Sequence, residues 1–390
     1  MRPRSFFGLC RLGSTLRRFI LLLAILALFY LIVINFAILS SQKVAYTSLT
    51  KTLKGNAEEK FSLNAQNASS ENTKLDGYAS SVAEQLTKDI LSMESINQRE
   101  IATNSLKPPL TLSLCPELKD IKLTGHLGQA TLLIEDLEEA EIELSNPHLQ
   151  PGGRWKPSIC RPRYKVAIII PYRDRKSHLT RLLDFLIPIL KKQLLDFRFI
   201  VTEQKGDDLF NKGRIMNAAF QLAQKLLVSF RFHDVDMFPQ DDRTPYDCPP
   251  TPRHLGAFVS NLGYQLWYKE IVGGALAISV EDYLTVNGFS NSYWAWGGED
   301  DDMGKRILSM NYTIERPNSD FVRFSMLKHV KRKRLAPKKV YKLLESAGTR
   351  WVDDGVNDTM WTVVKLNVKP LYYHLLVDVG NPPKDWKADS

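Results

Sequence analysis

The sequence predicts an α/β fold: an open, mostly parallel sheet with helices on both faces. Three observations carry this. Lys165-Val-Ala-Ile-Ile-Ile170 is a continuous apolar, largely β-branched run stopped by Pro171, which suits a strand buried on both faces. Strand-like and helix-like segments then alternate as far as His233. Polar clusters, Tyr172-Arg173 and Asp234-Val-Asp236, stand just beyond two strand-like segments, where open α/β sheets bind their ligands.

Taken in order, residues 1–18 form a basic tail containing Arg2, Arg4, Arg11, Arg17 and Arg18. Residues 19–39, Phe19 to Leu39, are an apolar run of 21 residues interrupted only by Tyr30 and Asn35. About 20 such residues span a bilayer, and a cleaved signal would be shorter and end in small residues. All five arginines precede the run, so the tail is expected on the cytosolic side and the bulk in the lumen or outside, a type II signal anchor. Residues 40–109 are rich in Ser, Asn, Thr, Lys and Glu and read as a stem, with one helix expected at Tyr78 to Ser92. Residues 110–390 have the composition of a folded domain. There the expected elements are the strand Lys165–Ile170, a loop Tyr172–Arg175, a helix His178–Leu195 and a strand Phe197–Val201, then a helix Phe210–Leu227 and a strand Val228–His233.

The net charge of +9 is partly local, concentrated in the tail and in Lys331-Arg-Lys-Arg334. Nucleic-acid binding conflicts with a lumenal domain, whereas a diphosphate-bearing ligand also favours a basic cleft. The four cysteines fit an oxidising compartment. Cys10 is a free thiol or a palmitoylation site, and Cys115, Cys160 and Cys248 are an odd lumenal set that leaves one unpaired or intermolecular. Asn67, Asn311 and Asn357 head glycosylation sequons.

The chemistry concentrates in Asn291–Asp302, N-S-Y-W-A-W-G-G-E-D-D-D. Aromatic rings beside carboxylates are what a sugar requires: an apolar face for its C–H groups and acceptors for its hydroxyls. Four adjacent acids repel one another and fit poorly in a regular element, so Glu299 to Asp302 are expected where a base, a hydroxyl-binding group or a helix N-terminus is wanted. The bland reading is an exposed acidic turn opening a helix at Met303–Met310, and the Trp-x-Trp-Gly-Gly context favours the site. Asp234 and Asp236, two apart on an extended segment, can converge on Mg²⁺ or Mn²⁺ bridging a diphosphate. Met326 and His329 add a thioether and an imidazole, a pair that suits Mn²⁺ better than Mg²⁺.

These residues carry a resemblance. I-I-I-P-Y-R-D-R at 168–175, F-N-K-G-R-I-M-N at 210–217, H-D-V-D at 233–236, V-G-G at 272–274, N-G-F-S-N-S-Y-W-A-W-G-G-E-D-D-D at 287–302 and M-L-K-H at 326–329 occur in that order. The chain resembles the β-1,4-galactosyltransferase family of Golgi glycosyltransferases, close to its invertebrate N-acetylgalactosaminyltransferase branch. The resemblance covers about Cys115 to Val379 and implies a nucleotide-diphospho-sugar transferase sheet. It implies that Pro171, Tyr172, Arg173 and Arg175 hold the uridine side of a UDP-sugar, with Phe210 and Lys212 lining the same pocket and Asp234 and Val235 beside the nucleotide. Asp236, Met326 and His329 would ligate Mn²⁺, Trp296 would lie against donor and acceptor, and Asp300 would be the base. Tyr268, Gly298, Glu299, Asp300 and Asp301 would receive a GlcNAc-terminated acceptor, and Lys339 falls where the family holds its N-acetyl group. Ile271, just before the backbone glycines that end at Gly274, stands where members using UDP-Gal have Tyr, which implies UDP-GalNAc as donor with UDP-Gal usable. Lys212 stands where the family usually has Arg, and Cys115–Cys160 matches one family disulfide. Cys248 matches half of a second whose other half is Ser229. A catalytically silent lumenal lectin or chaperone is the rival from another class, and the complete residue set argues against it.

Overall fold

The structure, a computed structural model, describes residues 112–128, 130–224, 229–328 and 336–386. The tail, the anchor at 19–39, the stem with its Tyr78–Ser92 helix, Cys10, Asn67, Lys331–Arg334 and His329 lie outside the described residues. Among the described residues no helix is long and apolar enough to cross a membrane.

In chain order the regular elements are helix α1 (Glu139–Ser145), strand β1 (Lys165–Tyr172), α2 (Lys176–Lys192), β2 (Asp196–Gln204), α3 (Lys212–Ala223), β3 (Ser229–His233), β4 (Met237–Pro239), β5 (Arg253–His254), β6 (Ala275–Ser279), α4 (Val280–Thr285), α5 (Glu299–Ser309), β7 (Phe324–Met326), α6 (Pro337–Arg350), β8 (Thr362–Val368) and β9 (Tyr373–Asp378). Seven strands form one sheet in the order β5-β6-β3-β1-β2-β9-β8, and β4 pairs with β7 in a separate ribbon. The centre, β3-β1-β2-β9, is parallel. The pairings of β6 with β3, β5 with β6 and β8 with β9 are antiparallel, so the sheet is mixed rather than mostly parallel.

β1 is buried on both faces, as its composition requires. Val166, Ile168 and Ile170 pack with Leu179, Leu183 and Leu186 of α2, while Ala167 and Ile169 pack with Ile215, Met216 and Phe220 of α3. Truncating such a fully buried Ile to Ala costs about 2–5 kcal/mol. The strand continues through Pro171 to Tyr172, beyond the sequence-based limit. β3 pairs with β1 only over Val166–Ile169, so the β3 side carries no ladder by the time the proline is reached. The helices and β2 are shifted by a few residues from expectation, and the first helix accommodates Pro188.

The Cys115–Cys160 bridge is formed beside the Leu114–Arg161 pairing, and Cys248 is unpaired. Near Cys248, β3 carries a fully buried cation. Arg231 Nη1 donates to Ser229 Oγ (2.5 Å) and the Phe230 carbonyl (2.9 Å), Nη2 donates to the Tyr246 carbonyl (2.8 Å), and the Asp247 carbonyl also accepts from it. Burial lowers this guanidinium to about 10, which leaves it charged at neutral pH.

Candidate active site

The site is built on three chain reversals at one end of the sheet. The first follows β3. Asp234–Asp236 form a turn, with the Met237 N–H donating to the Asp234 carbonyl (3.3 Å), and are not the extended segment expected. The turn nevertheless separates two acids with different partners: Asp234 faces Lys212 (3.0 Å) and Asp236 faces Arg175 (3.4 Å). Val235 is buried in the core on the α2 face, so its side chain is not brought to the site. Burial and the neighbouring Asp236 raise the Asp234 carboxyl, and Lys212 opposes them.

The second reversal is Val272-Gly273-Gly274. A Cβ on Gly273 would stand 3.0 Å from Asp300 Oδ2, and one on Gly274 would meet Met237 Cε at 2.6 Å. Gly274 also has φ +83°, so its side-chain-free backbone is required twice over. Two buried histidines fix these turns. His254 Nε2 donates to the Gly273 carbonyl (2.8 Å), and His233 Nδ1 donates to the Asp234 carbonyl (2.9 Å). Burial lowers His233 to about 4 and His254 to about 3, so both are neutral at physiological pH. Sequence reasoning gave neither a role. Their contacts are set by the fold, and only the H-D-V-D motif hinted at His233.

The third reversal is Tyr293–Gly298, where Ala295, Gly297 and Gly298 adopt φ of 68°, 98° and 103°. Trp294 is buried beneath the Arg214 guanidinium (5.1 Å), whereas Trp296 is 52% exposed. Gly298 caps α5, and the four acids lie inside the helix as its first turn, not before it. A helix N-terminus favours negative charge, and successive helical positions point in different directions. The acids thereby divide among partners: Glu299 and Asp300 share Lys212 and still repel each other, while Asp301 and Asp302 meet other groups. Glu299 is buried 3.5 Å from Lys212, and its carboxyl is pushed up to about 7, first by burial and then by Asp300. Asp300 accepts from Lys212 through both oxygens at 3.2 Å. Its carboxyl is raised by burial against the pull of Lys212. Asp301 accepts from the Tyr268 hydroxyl (2.8 Å). Asp302, fully buried, accepts from Arg306 Nε (2.5 Å), from Tyr293 (2.8 Å) and from Arg350.

Lys212 therefore stands at the centre, touching Asp234, Glu299 and Asp300. Burial alone would lower its ammonium, but the three carboxylates hold it well above the ordinary value. Asn211 caps the helix that presents it, accepting from the Arg214 N–H (2.9 Å). Phe210 lies instead under the Arg173 guanidinium (5.0 Å). Arg173 Nη1 donates to the Asp208 carbonyl (2.6 Å), and its Nε and Nη2 are buried without a hydrogen-bond partner. Pro171 and Tyr172 end β1 nearby.

Met326 is brought beside the first turn. It pairs with Met237 across the β4–β7 ribbon, and the Leu327 N–H donates to the Asp236 carbonyl (2.9 Å). Among the described residues no three His, Cys, Asp or Glu side chains are grouped to hold a metal. Ile271 is half-buried, and its carbonyl accepts from Arg316 (3.2 Å). Lys339 is not brought to the cluster. Its ammonium pairs with Asp385 and lies over Trp386, while the next residue, Val340, packs at Gly298.

Comparison with known proteins shows what the chain is similar to. Residues 115–249 match the N-terminal region of glycosyl transferase group 7, and residues 253–330 match the N-terminal domain of galactosyltransferase. β-1,4-galactosyltransferase 1 of Homo sapiens is 37% identical over 279 residues, covering 70% of this chain and 69% of the relative. β-1,4-galactosyltransferase 6 of Rattus norvegicus is 38% identical over 267 residues, covering 68% and 69%. The catalytic domain of Drosophila β-1,4-galactosyltransferase 7 in complex with xylobiose superposes with a TM-score of 0.50 at 26% identity, covering 58% of this chain and 99% of that one. A mutant of that enzyme, solved with manganese, UDP-Gal and xylobiose, gives a TM-score of 0.50 at 25% identity, covering 57% and 98%.

Proposed function

Since the chain belongs to the β-1,4-galactosyltransferase family of glycosyl transferase group 7, we propose that it is an inverting, Mn²⁺-dependent transferase moving GalNAc from UDP-GalNAc to the 4-hydroxyl of a terminal GlcNAc. The observation that carries this reading is the Asp300 carboxylate, held by Lys212 directly above the side-chain-free Gly273. A carboxylate held beside an open glycine backbone is placed to take a proton from a hydroxyl that approaches it.

In the proposed reaction Asp300 removes the proton from the acceptor 4-hydroxyl as that oxygen attacks the anomeric carbon. The bond to UDP breaks on the opposite face, so an α-linked donor becomes a β-glycoside. Burial raises the Asp300 carboxyl, and Lys212 opposes that rise, favouring the ionised form that a base requires. Arg173 offers two buried, unpartnered donors to the anionic nucleotide. Asp236 and Met326, adjacent in the structure, would hold Mn²⁺ with His329. Bound Mn²⁺ supplies positive charge to the departing diphosphate. Trp296 presents its ring to the sugars, and Tyr268 orients Asp301 towards the acceptor. The 19–39 segment would anchor the enzyme in the Golgi membrane with this domain in the lumen.

A second reading keeps the chemistry and takes UDP-Gal as the true donor. It is favoured by relatives named as galactosyltransferases and by the fly mutant solved with UDP-Gal. The test is a donor-by-acceptor screen on a soluble fragment starting near residue 110. Mn²⁺-dependent transfer to GlcNAc with kcat/KM highest for UDP-GalNAc is expected. A preference for UDP-Gal selects the second reading, and no UDP release with any pair overturns both.

A further inference from the structure

Two of the sequons, those of Asn311 and Asn357, fall among the described residues, and the structure treats them differently. Asn311-Tyr-Thr313 follows α5. Asn311 has φ +59°, the left-handed conformation that often ends a helix and that Asn tolerates. Its N–H donates to the Leu308 carbonyl (3.1 Å), and the Tyr312 N–H donates to the Ile307 carbonyl (3.2 Å). The Thr313 carbonyl accepts from the Thr251 hydroxyl (2.6 Å). The backbone of this triplet is therefore fastened, and Tyr312 packs against the core with Ile314. The two side chains that matter to a glycan are not fastened. Asn311 and Thr313 are exposed, and among the described residues neither the amide nor the hydroxyl has a hydrogen-bond partner. Ending a helix accounts for an Asn at 311 and asks nothing of position 313.

In Asn357-Asp-Thr359 both side chains are committed. Asn357 Nδ2 donates to the Val352 carbonyl (2.7 Å), and its Oδ1 accepts from Asn287 Nδ2 (2.7 Å). The Thr359 hydroxyl donates to the Gly355 carbonyl (2.5 Å) and accepts from Asn217 Nδ2 (3.1 Å). The same stretch supports the segment that leads into the third reversal: Asp354 accepts from the Asn291 N–H (2.7 Å), and Asp358 accepts from Asn291 Nδ2 (2.6 Å). A sugar on Asn357 Nδ2 would crowd the carbonyl now in contact with that nitrogen and disturb this network.

We propose that Asn311 is the N-glycosylated asparagine of this domain and that Asn357 is left bare. This rests on the lumenal placement proposed above. The sugar donor is an oligosaccharide carried on a lipid pyrophosphate, used by a cellular transferase. Asn311 Nδ2 bonds to the anomeric carbon, the bond from sugar to pyrophosphate breaks, the lipid pyrophosphate leaves with its electron pair, and the nitrogen gives up one proton. The 11 residues of α5 put about 16 Å between the glycan and the acids at the other end of the helix, so the active site stays open.

The test maps glycopeptides of the full-length enzyme made in animal cells and solubilised in detergent. Peptide N-glycosidase F in heavy-oxygen water leaves a mass-labelled aspartate wherever a glycan stood. Label at 311 and none at 357 is expected; an unlabelled 311 or a labelled 357 overturns the proposal. Two variants check the assignment by gel mobility. Asn311→Gly, which suits the left-handed backbone, and Thr313→Ala should each migrate as a chain lacking one glycan, whereas Thr313→Ser should migrate as native protein. Unaltered mobility of the first two overturns the site. Protease added to intact microsomes separates this inference from the reading beneath it. A digested domain overturns the lumenal placement and the site with it, and a protected domain without label at 311 overturns the site alone.

Discussion

Replacing Glu299 with Gln should make the domain more stable and the enzyme worse. The Glu299 side chain is 8% exposed, and its carboxyl titrates at about 7 instead of 4.5 because burial and Asp300 outweigh the nearby Lys212. A folded-state value above the unfolded one gives a contribution to stability that is fully present below pH 4.5 and lost as pH rises through about 7. Above that window the fold carries an ionised acid it would rather hold neutral. The displacement corresponds to about 3 kcal/mol, at about 1.4 kcal/mol per pKa unit. Gln keeps the shape without the charge, and Lys212 retains Asp234 and Asp300. Allowing for the weakened lysine contact, Glu299→Gln should stabilise the domain by about 1–3 kcal/mol at pH 8 and by under about 1 kcal/mol at pH 5. Thermal unfolding of the catalytic fragment reads this as about 2–4 °C per kcal/mol for a domain of this size. kcat/KM for the acceptor should fall with UDP affinity unchanged. A Tm change of the same size at both pH values, or destabilisation that grows with pH, would refute the reasoning.

Asp300→Asn should lower kcat by about 10²–10⁴-fold while calorimetry finds UDP binding unaltered, because a positioned base acts on the acceptor. A loss under about threefold would move the base to Asp301 or Glu299. Asp236→Asn should abolish Mn²⁺-dependent transfer with circular dichroism unchanged, and native activity at limiting Mn²⁺ would remove Asp236 from the ligand set. Ile271→Tyr should shift the kcat/KM ratio towards UDP-Gal by at least about tenfold, which needs about 1.4 kcal/mol of differential transition-state binding. An unmoved ratio separates this position from donor choice.

Local pattern made β1 legible, since six consecutive buried positions leave a run of apolar residues that nothing else explains. It did not reveal β8 and β9, whose burial is partial or alternates and whose pairing depends on distant β2. The acid cluster fits the helix N-terminus that such acids suggest, but the helix begins at Glu299, four residues before the Met303 start expected. Repulsion between neighbours in sequence was counted, and the angular separation a helix imposes was not. The convergence of Asp234 and Asp236 was inferred from an extended backbone, whereas a turn places them. Lys212 shows the limit most clearly: its partners Asp234 and Asp300 lie 22 and 88 positions away, and only the tertiary fold makes one ammonium serve three acids.

The buried cation of β3 has a consequence for maturation. Ser229 and Cys248 occupy the two positions at which the family resemblance implies a second disulfide, and here Arg231 joins the same neighbourhoods by donating to Ser229 and to the carbonyls of Tyr246 and Asp247. Breaking this clasp would leave a buried charge uncompensated, a costly outcome, so the corner is held by these hydrogen bonds where the resemblance implies a covalent link. Among the described residues a reductant has one covalent target, Cys115–Cys160, which fastens the beginning of the domain. The corner that precedes the Asp234–Asp236 turn closes through proton donors alone. It needs neither an oxidant nor an isomerase to reach its final form, and thiols in the surrounding compartment have nothing there to undo.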